Sequence, residues 1–478
     1  MITKNLNVAD IVKCTNGELI LGNDKFICKN FVRDTREIEQ EDVFIAIKGD
    51  NIDGNIFWEE ALIKGAKVVI VDNIDFKGKN LSKYKDKVII KVADTIKALQ
   101  QIATKKREMY GKTFPVVAVT GSVGKTSTKD IIANVLSQKY KVLKTQGNYN
   151  NEIGVPLTIL RLQDEDVAVV EMGMNHLGEI SKLSKIAKPT ISVVTNIGTS
   201  HIGNLGSREN ILKAKLEILD GMEVPLVILN NDNDLLHKWY VENKNSISIK
   251  TFGMENKSDA YAQNVKLGEN NSKFTCYLSG NEFEVKVPVG GFHFVLNSLC
   301  AALIGQTLQL NKEEIKLGIQ GFELTKKRME ITTLKGNIKL INDSYNASYE
   351  SMRVALEYLA NMKKGRKIAV LGDMFELGEY SEKLHRDVGR EVAKNNIDIL
   401  LCCGENSKYI VEEAEKDGLS HKNIYYKNNS EEIENELKNI LQPEDNVLIK
   451  ASNGMKFYEI AEKLNQWEQS PLAEEVKN

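Results

Sequence analysis

The run VVAVTGSVGKTSTKDIIANVLSQ (116–138) constrains this chain more than any other feature. Its apolar, β-branched start reads as a buried strand, and TSTKDIIANVLSQ then brings Ile131, Ile132, Val135 and Leu136 to one helical face. Between them lie Gly121, Ser122, Val123, Gly124, Lys125 and Thr126, followed by Ser127. Gly121 and Gly124 let backbone N–H groups approach phosphate oxygens, the helix N-terminus contributes about half a positive charge, and Lys125 adds a full one. Thr126 is suited to reach a magnesium ion. The usual spacing G-x-x-x-x-G-K-[ST] would put glycine at 119, where this chain has Val119, so the loop is a shortened G-x-x-G-K-T. Strand, loop and helix in this order predict an α/β phosphate-loop domain and an ATP-consuming enzyme.

Other short apolar runs recur between helical patterns: VFIAI (43–47), KVVIVD (67–72), VAVVEMG (167–173), ISVVTNIG (191–198), KIAVLGD (367–373) and NVLIKAS (446–452). They predict largely parallel, buried sheets. KFTCYLSGNEFEVKVPV alternates instead, which predicts an antiparallel hairpin turning at Gly280-Asn281. A chain of 478 residues is too long for one core. Three units are expected, 1–110, 111–325 and 326–478, divided before Phe114-Pro115 and at Lys326-Lys327-Arg328. A formal charge of -2 supplies no global reason to bind nucleic acid or an anionic membrane, so small-molecule substrates are expected. The N-terminal MITKNLNVADIVK lacks the apolar core of a signal peptide, and no run is long enough to span a bilayer, which points to the cytoplasm. Six cysteines without a C-x-x-C pair read as reduced core thiols, and a monomer is expected.

Glu171 ends one apolar run, at the carboxyl end of a predicted parallel strand, where open α/β sheets bind ligands; it is a magnesium ligand candidate. ISVVTNIGTSHIG delivers Asn196 and His201 to the same edge. In the helical pattern that follows, Lys213 and Lys215 lie two apart and cannot share a face. His176, His237 and His421 have no constellation around them and read as surface or satisfied polar residues.

With these segments in place, the chain resembles the Mur ligases of peptidoglycan precursor synthesis from end to end. DTR (34–36), FIAIKG (44–49) and DGNIF (53–57) look like the family's uridine-nucleotide-binding domain, with Asn55 where histidine is common. TGSVGKTSTKD, GNYNNEIGVPLT, EMGMNHLGEI, TNIGTSHIGNLGS and AKLEIL continue the match through a central mononucleotide-binding domain. NDSYNASYESM (342–352) and LGDMFELG (371–378), then His385, resemble the C-terminal Rossmann-like domain of the branch that adds D-alanyl-D-alanine. The resemblance implies an acyl-phosphate route joining that dipeptide to a UDP-N-acetylmuramoyl tripeptide. It assigns Lys125, Lys215 and His201 to catalysis, and Thr126, Glu171, His201 and Lys215, the last as a carbon-dioxide-derived carbamate, to two magnesium ions. By the same resemblance Gly121 to Ser127, Asn297, Arg328, Asp343, Tyr345 and Asn346 hold ATP, with Tyr345 stacked on adenine, whereas Thr35, Arg36, Asp53, Gly54, Asn148 and Asn151 hold the uridine substrate. As bare residues, Tyr345 and Asn346 equally suit a packed aromatic and a helix cap. The rival readings are a relative that adds one amino acid, a folylpolyglutamate-synthetase-like enzyme, and a nucleotide-dependent switch protein.

Overall fold

The computed structural model describes residues 4–49 and 51–468, so the outermost ends of the first and third expected units, 1–3 and 469–478, lie outside the described residues. The apolar runs become the strands Val43–Ile45, Val68–Val71, Val116–Thr120, Val167–Glu171, Ile191–Val194, Lys367–Gly372 and Asn446–Lys450, each pairing in parallel with a neighbour. They are distributed over three mixed sheets. A five-stranded sheet spans 18–91, a nine-stranded sheet 116–287 and a six-stranded sheet 330–450. The strands are buried on both faces because helices cover both, which is why they read as continuous Val/Ile runs.

In the nine-stranded sheet, Val116–Thr120 lies between Val167–Glu171 and Ile191–Val194, while Val142–Lys144 sits at the far edge beyond Val167–Glu171. The chain thus leaves the phosphate-loop strand first to one side and later to the other. That reversal opens a crevice at the strands' carboxyl ends. The other edge is an antiparallel meander, Ala260–Leu267, Ser272–Leu278 and Asn281–Val287. Its hairpin turns one residue earlier than the alternation suggests. Leu278 pairs with Asn281, and Ser279 (φ 49°) and Gly280 (φ 82°) form the turn, as a two-residue hairpin with both central φ positive requires.

The phosphate-loop helix, Lys125–Leu136, is buried on nearly all sides rather than on one face, because helices Phe292–Thr307 and Lys312–Gln320 pack over the surface opposite the sheet. Ile131, Ile132, Val135 and Leu136 are all fully buried, at about 2 kcal/mol each, so the helix start that carries the loop is held rigidly.

Helix Thr95–Glu108, at the end of the first unit, packs on the central helices Gly154–Leu160 and Glu179–Ala187. Its buried Arg107 donates to the carbonyls of Ala187, Gly111, Phe114 and Lys188 across that junction. All six cysteines are free thiols, and burial pushes that of Cys28 up to about 12. Among the described residues no helix is long and apolar enough to cross a membrane.

Candidate functional site

Gly121 leaves its strand at φ 152°, and a Cβ there would stand 1.9 Å from Thr195 Oγ1, so the first loop position admits only glycine. The loop is then strapped to the segment leaving the neighbouring strand. Ser122 N donates to Asn196 O (3.0 Å), Val123 N to Asn196 Oδ1 (2.9 Å) and Thr195 Oγ1 to Val123 O (2.7 Å). Gly124 caps the helix without a side chain, which leaves the first-turn N–H groups for an anion. Lys125 Nζ curls back onto Gly121 O (2.8 Å) and Ser122 O (3.3 Å). Burial pushes its pKa down; Glu171 opposes the shift and Arg328 adds to it.

Glu171 is 1% exposed at the end of its strand. Its Oε2 accepts from Thr126 Oγ1 (2.9 Å) and its Oε1 from Asn150 Nδ2 (2.8 Å), yet among the described residues it has no ion pair. A buried carboxylate without a paired cation is costly, and a bound cation would offset that cost. No cluster of three His, Cys, Asp or Glu that could cage a metal exists among the described residues. One carboxylate and one hydroxyl, with substrate phosphates and water completing the shell, fit magnesium.

The loop and Glu171 form one wall of a cavity of about 400 Å³. It is also lined by Asn151, His201, Asn297, Arg328, Asp343, Tyr345 and Asn346, so most of the residues expected from sequence meet at one place. Asp343 Oδ2 pairs with Lys450 Nζ at 2.6 Å, and Lys450 also donates to Asn346 O (2.9 Å). The Arg328 guanidinium lies 3.9 Å over the Tyr345 ring, so that ring face is occupied by a cation and is not open to a base. Asn346 is no helix cap. Ser348 caps the following helix, and Asn346 Oδ1 accepts from Asn453 N instead. Among the described residues, three buried nitrogens on the cavity have no partner, Asn297 Nδ2, Arg328 Nε and His293 Nδ1, although Asn297 Oδ1 is fixed by Thr128 Oγ1 (3.0 Å). Unpaired buried polar nitrogens are what a polar ligand such as a nucleotide would satisfy.

Lys215, Thr35, Arg36, Asp53, Gly54 and Asn148 stand apart from the cavity, whereas His201 and Asn151 line it while bonding elsewhere. Lys215, in helix Arg208–Leu216, is 2% exposed and has no hydrogen-bond or ion-pair partner among the described residues, while Lys213 is exposed. Burial, then the Lys125 charge, holds the Lys215 pKa well below the ordinary lysine value. His201 takes up φ 64° and its Nδ1 is hydrogen-bonded to Glu376 of the third sheet's unit. Thr35 (bonded to Glu60), Arg36 (paired with Asp34), Asp53 and Gly54 follow strands of the first sheet and do not line this cavity. Asn55 is buried, donating to Asp53 and Asp72 and accepting from Asp72 N, so it supports the loop from within. Asn148 does not line the cavity, and Asn151 Oδ1 accepts from Ile153 N (3.2 Å) and Gly154 N (2.9 Å) ahead of helix Gly154–Leu160.

Sequence reasoning missed Asn150, Lys450, Glu350 and Glu376. Lys450 ends a parallel strand just as Glu171 does, so the strand-end rule applied to the third sheet would have found it. The other three are recognisable only from contacts between distant segments.

A phosphate loop and strand-end carboxylate on one sheet, with a cavity wall supplied by a second α/β unit, define a multidomain nucleotide-dependent enzyme working between its domains. Family models match most of the chain: the Mur ligase family catalytic domain over 31–107, the Mur ligase middle domain over 119–305, and the Mur ligase glutamate ligase domain over 327–453. The chain belongs to the Mur ligase family. It is 37% identical to the UDP-N-acetylmuramoyl-tripeptide--D-alanyl-D-alanine ligase of Bacillus subtilis, covering 98% of both chains, and 33% identical to that of Escherichia coli, covering 85% of this chain and 87% of the other. Among solved structures it is similar to MurF from Acinetobacter baumannii, with a TM-score of 0.85 and 28% identity over 98% of this chain and 100% of that one. MurF ligase from Thermotoga maritima in complex with ADP has a TM-score of 0.78 and 29% identity over 92% and 98% of the two chains.

Proposed function

We propose that this chain is the ATP-dependent ligase that joins D-alanyl-D-alanine to the terminal carboxylate of a UDP-N-acetylmuramoyl tripeptide, in cytoplasmic peptidoglycan precursor synthesis. The observation that supports this most is the likeness to a ligase of that name over 98% of both chains. A carboxylate does not react with an amine at neutral pH. Its oxygen therefore attacks the γ-phosphorus of ATP, ADP leaves, and the acceptor amine then attacks the acyl carbon, loses a proton and expels phosphate.

The chain's residues position the reactants and balance charge. The loop N–H groups and Lys125 hold the phosphates, Asn297 and Arg328 offer their unpaired nitrogens to the nucleoside, and the Asp343–Lys450 pair fixes the opposite wall. Thr126 and Glu171 would hold magnesium, with His201 at a second position; the ion would supply charge neutralisation at the transferring phosphate. Lys215 is suited to a carbamate, because the neutral amine favoured by its burial is the form that adds carbon dioxide, releasing a proton and leaving an anion near Lys125. The uridine substrate is assigned to Thr35, Arg36, Asp53, Gly54, Asn148 and Asn151, and the three working units to 1–110, 111–325 and 326–478.

The test measures ADP release and product mass with the dipeptide, D-alanine, L-lysine, diaminopimelate and L-glutamate as acceptors, using tripeptide donors ending in lysine or diaminopimelate. The dipeptide is expected to lead by orders of magnitude in kcat/KM, because a site built for its peptide group and distant carboxylate leaves polar groups unpaired with a single amino acid. Faster product formation with any single amino acid overturns the acceptor assignment.

A further inference from the structure

We infer that Glu350 is a positioning residue that couples docking of the third unit to the shape of the phosphate loop; the inference rests on the ligase reading above. Glu350 lies in the first turn of helix Tyr349–Ala360 and reaches across to the central unit, where its carboxylate accepts from Thr199 N (2.7 Å) and Thr199 Oγ1 (3.1 Å). Among the described residues these are its only hydrogen bonds, and it has no ion pair.

Thr199 belongs to the segment that braces the loop. The preceding N–H, that of Gly198, donates to Ser122 Oγ at 2.9 Å, and the following hydroxyl, Ser200 Oγ, donates to Ser122 O at 3.3 Å. The Glu350 bond and the Ser122 bond therefore hang on adjacent planar peptide units, and one cannot shift far without the other. Gly198 makes this contact possible. A Cβ at that position would lie 2.5 Å from Glu350 Cδ and 2.7 Å from Oε1, and all three of its nearest atoms belong to Glu350. On this segment the third unit also holds His201 through Glu376, Gly203 N through Glu376 O (3.0 Å) and Gly206 O through Tyr380 Oη (2.7 Å), all on the chain after Ser200, the last residue seen to touch the loop. Glu350 is the third unit's contact beside Ser122, and it lines the same cavity. When the third unit undocks, its carboxylate loses both donors and the brace loses its outer anchor.

The test uses the full chain and compares Glu350→Ala, Glu350→Gln, Gly198→Ala and the double variant Glu350→Ala/Gly198→Ala in steady-state ligation, with thermal unfolding alongside. Glu350→Ala is expected to lower kcat about tenfold to a hundredfold, the scale of one hydrogen bond to a charged group, with little change in the KM for the uridine-linked donor. Glu350→Gln keeps an acceptor for Thr199 N and should recover most of the rate. Gly198→Ala pushes the carboxylate away and should match Glu350→Ala, and the double variant should be no slower than Glu350→Ala. A merely structural contact would lower the unfolding temperature and leave kcat per folded enzyme unchanged. Wild-type kcat in Glu350→Ala, or losses that multiply in the double variant, overturns the inference. Where Glu350→Ala does not fold, Gly198→Ala with and without Glu350→Gln gives the same comparison. The assay runs with whichever acceptor supports ADP release, so failure of the dipeptide would overturn the acceptor assignment and leave this comparison standing.

Discussion

Replacing Lys215 by methionine separates a functional lysine from a structural one. The side chain is 2% exposed and makes no hydrogen bond or ion pair among the described residues, so the folded state loses no polar contact when the amine is removed. Methionine nearly conserves the volume, which keeps any packing cost below about 1.5 kcal/mol. Against it stands relief from holding a nearly buried amine with no protein partner among the described residues, worth at most about 1 to 3 kcal/mol. In carbon-dioxide-depleted buffer the variant is therefore expected to be as stable as the parent or more stable by up to about 2 kcal/mol. Activity should behave oppositely. Loss of the carbamate proposed for Lys215 should lower ligation by about a hundredfold or more, the scale of one preorganised electrostatic contact. Urea unfolding and ADP release measure the two quantities, and added acetate or formate should restore part of the rate to Lys215→Ala, which leaves room for a small carboxylate. A variant that loses several kcal/mol of stability, or that ligates at the parental rate with intact fold, refutes the reasoning.

Lys125→Ala should leave the fold intact and lower the rate about a hundredfold to a thousandfold, checked by ADP release and circular dichroism, because the role proposed for its charge is to neutralise the transferring phosphate. Gly121→Ala should abolish ADP binding in calorimetry, since the new Cβ would stand 1.9 Å from Thr195 Oγ1 at φ 152° and the loop must move. Glu171→Gln should preserve or raise thermal stability by removing a buried carboxylate without an ion pair, and should raise the magnesium concentration for half-maximal rate at least about tenfold.

Much of this molecule was legible because its sheets are buried on both faces. Val116–Thr120, Val167–Glu171 and Ile191–Val194 must be apolar throughout, so their ends, where Gly121, Glu171 and Asn196 emerge, stand out in the sequence. The hairpin turn was displaced by one residue because Ser-Gly and Gly-Asn are both acceptable turn pairs, and only the pairing of Leu278 with Asn281 decides between them. The asparagine run was harder. In GNYNNE, Asn150 bonds Glu171 and Asn151 accepts from the backbone N–H of Gly154, a division set by how the chain enters Gly154–Leu160 and not by residue type.

What the sequence could not display are contacts whose partners lie far apart along the chain. Glu376 and Glu350 belong to the third unit and are polar residues beside a loop and at a helix start, positions where an acidic residue ordinarily needs no explanation. Their meaning appears only when docking brings them to His201 and Thr199, 175 and 151 residues away. The same docking explains how the cavity acquires opposite walls. The phosphate loop and Glu171 come from the carboxyl edge of one sheet, and Asp343 and Lys450 from the corresponding edge of another. Neither edge alone encloses the space in which an acyl phosphate must be kept from water. Residues that hold the two edges together thus belong to the catalytic design as much as those that face the phosphates, and the Glu350–Thr199 contact lies where both requirements meet.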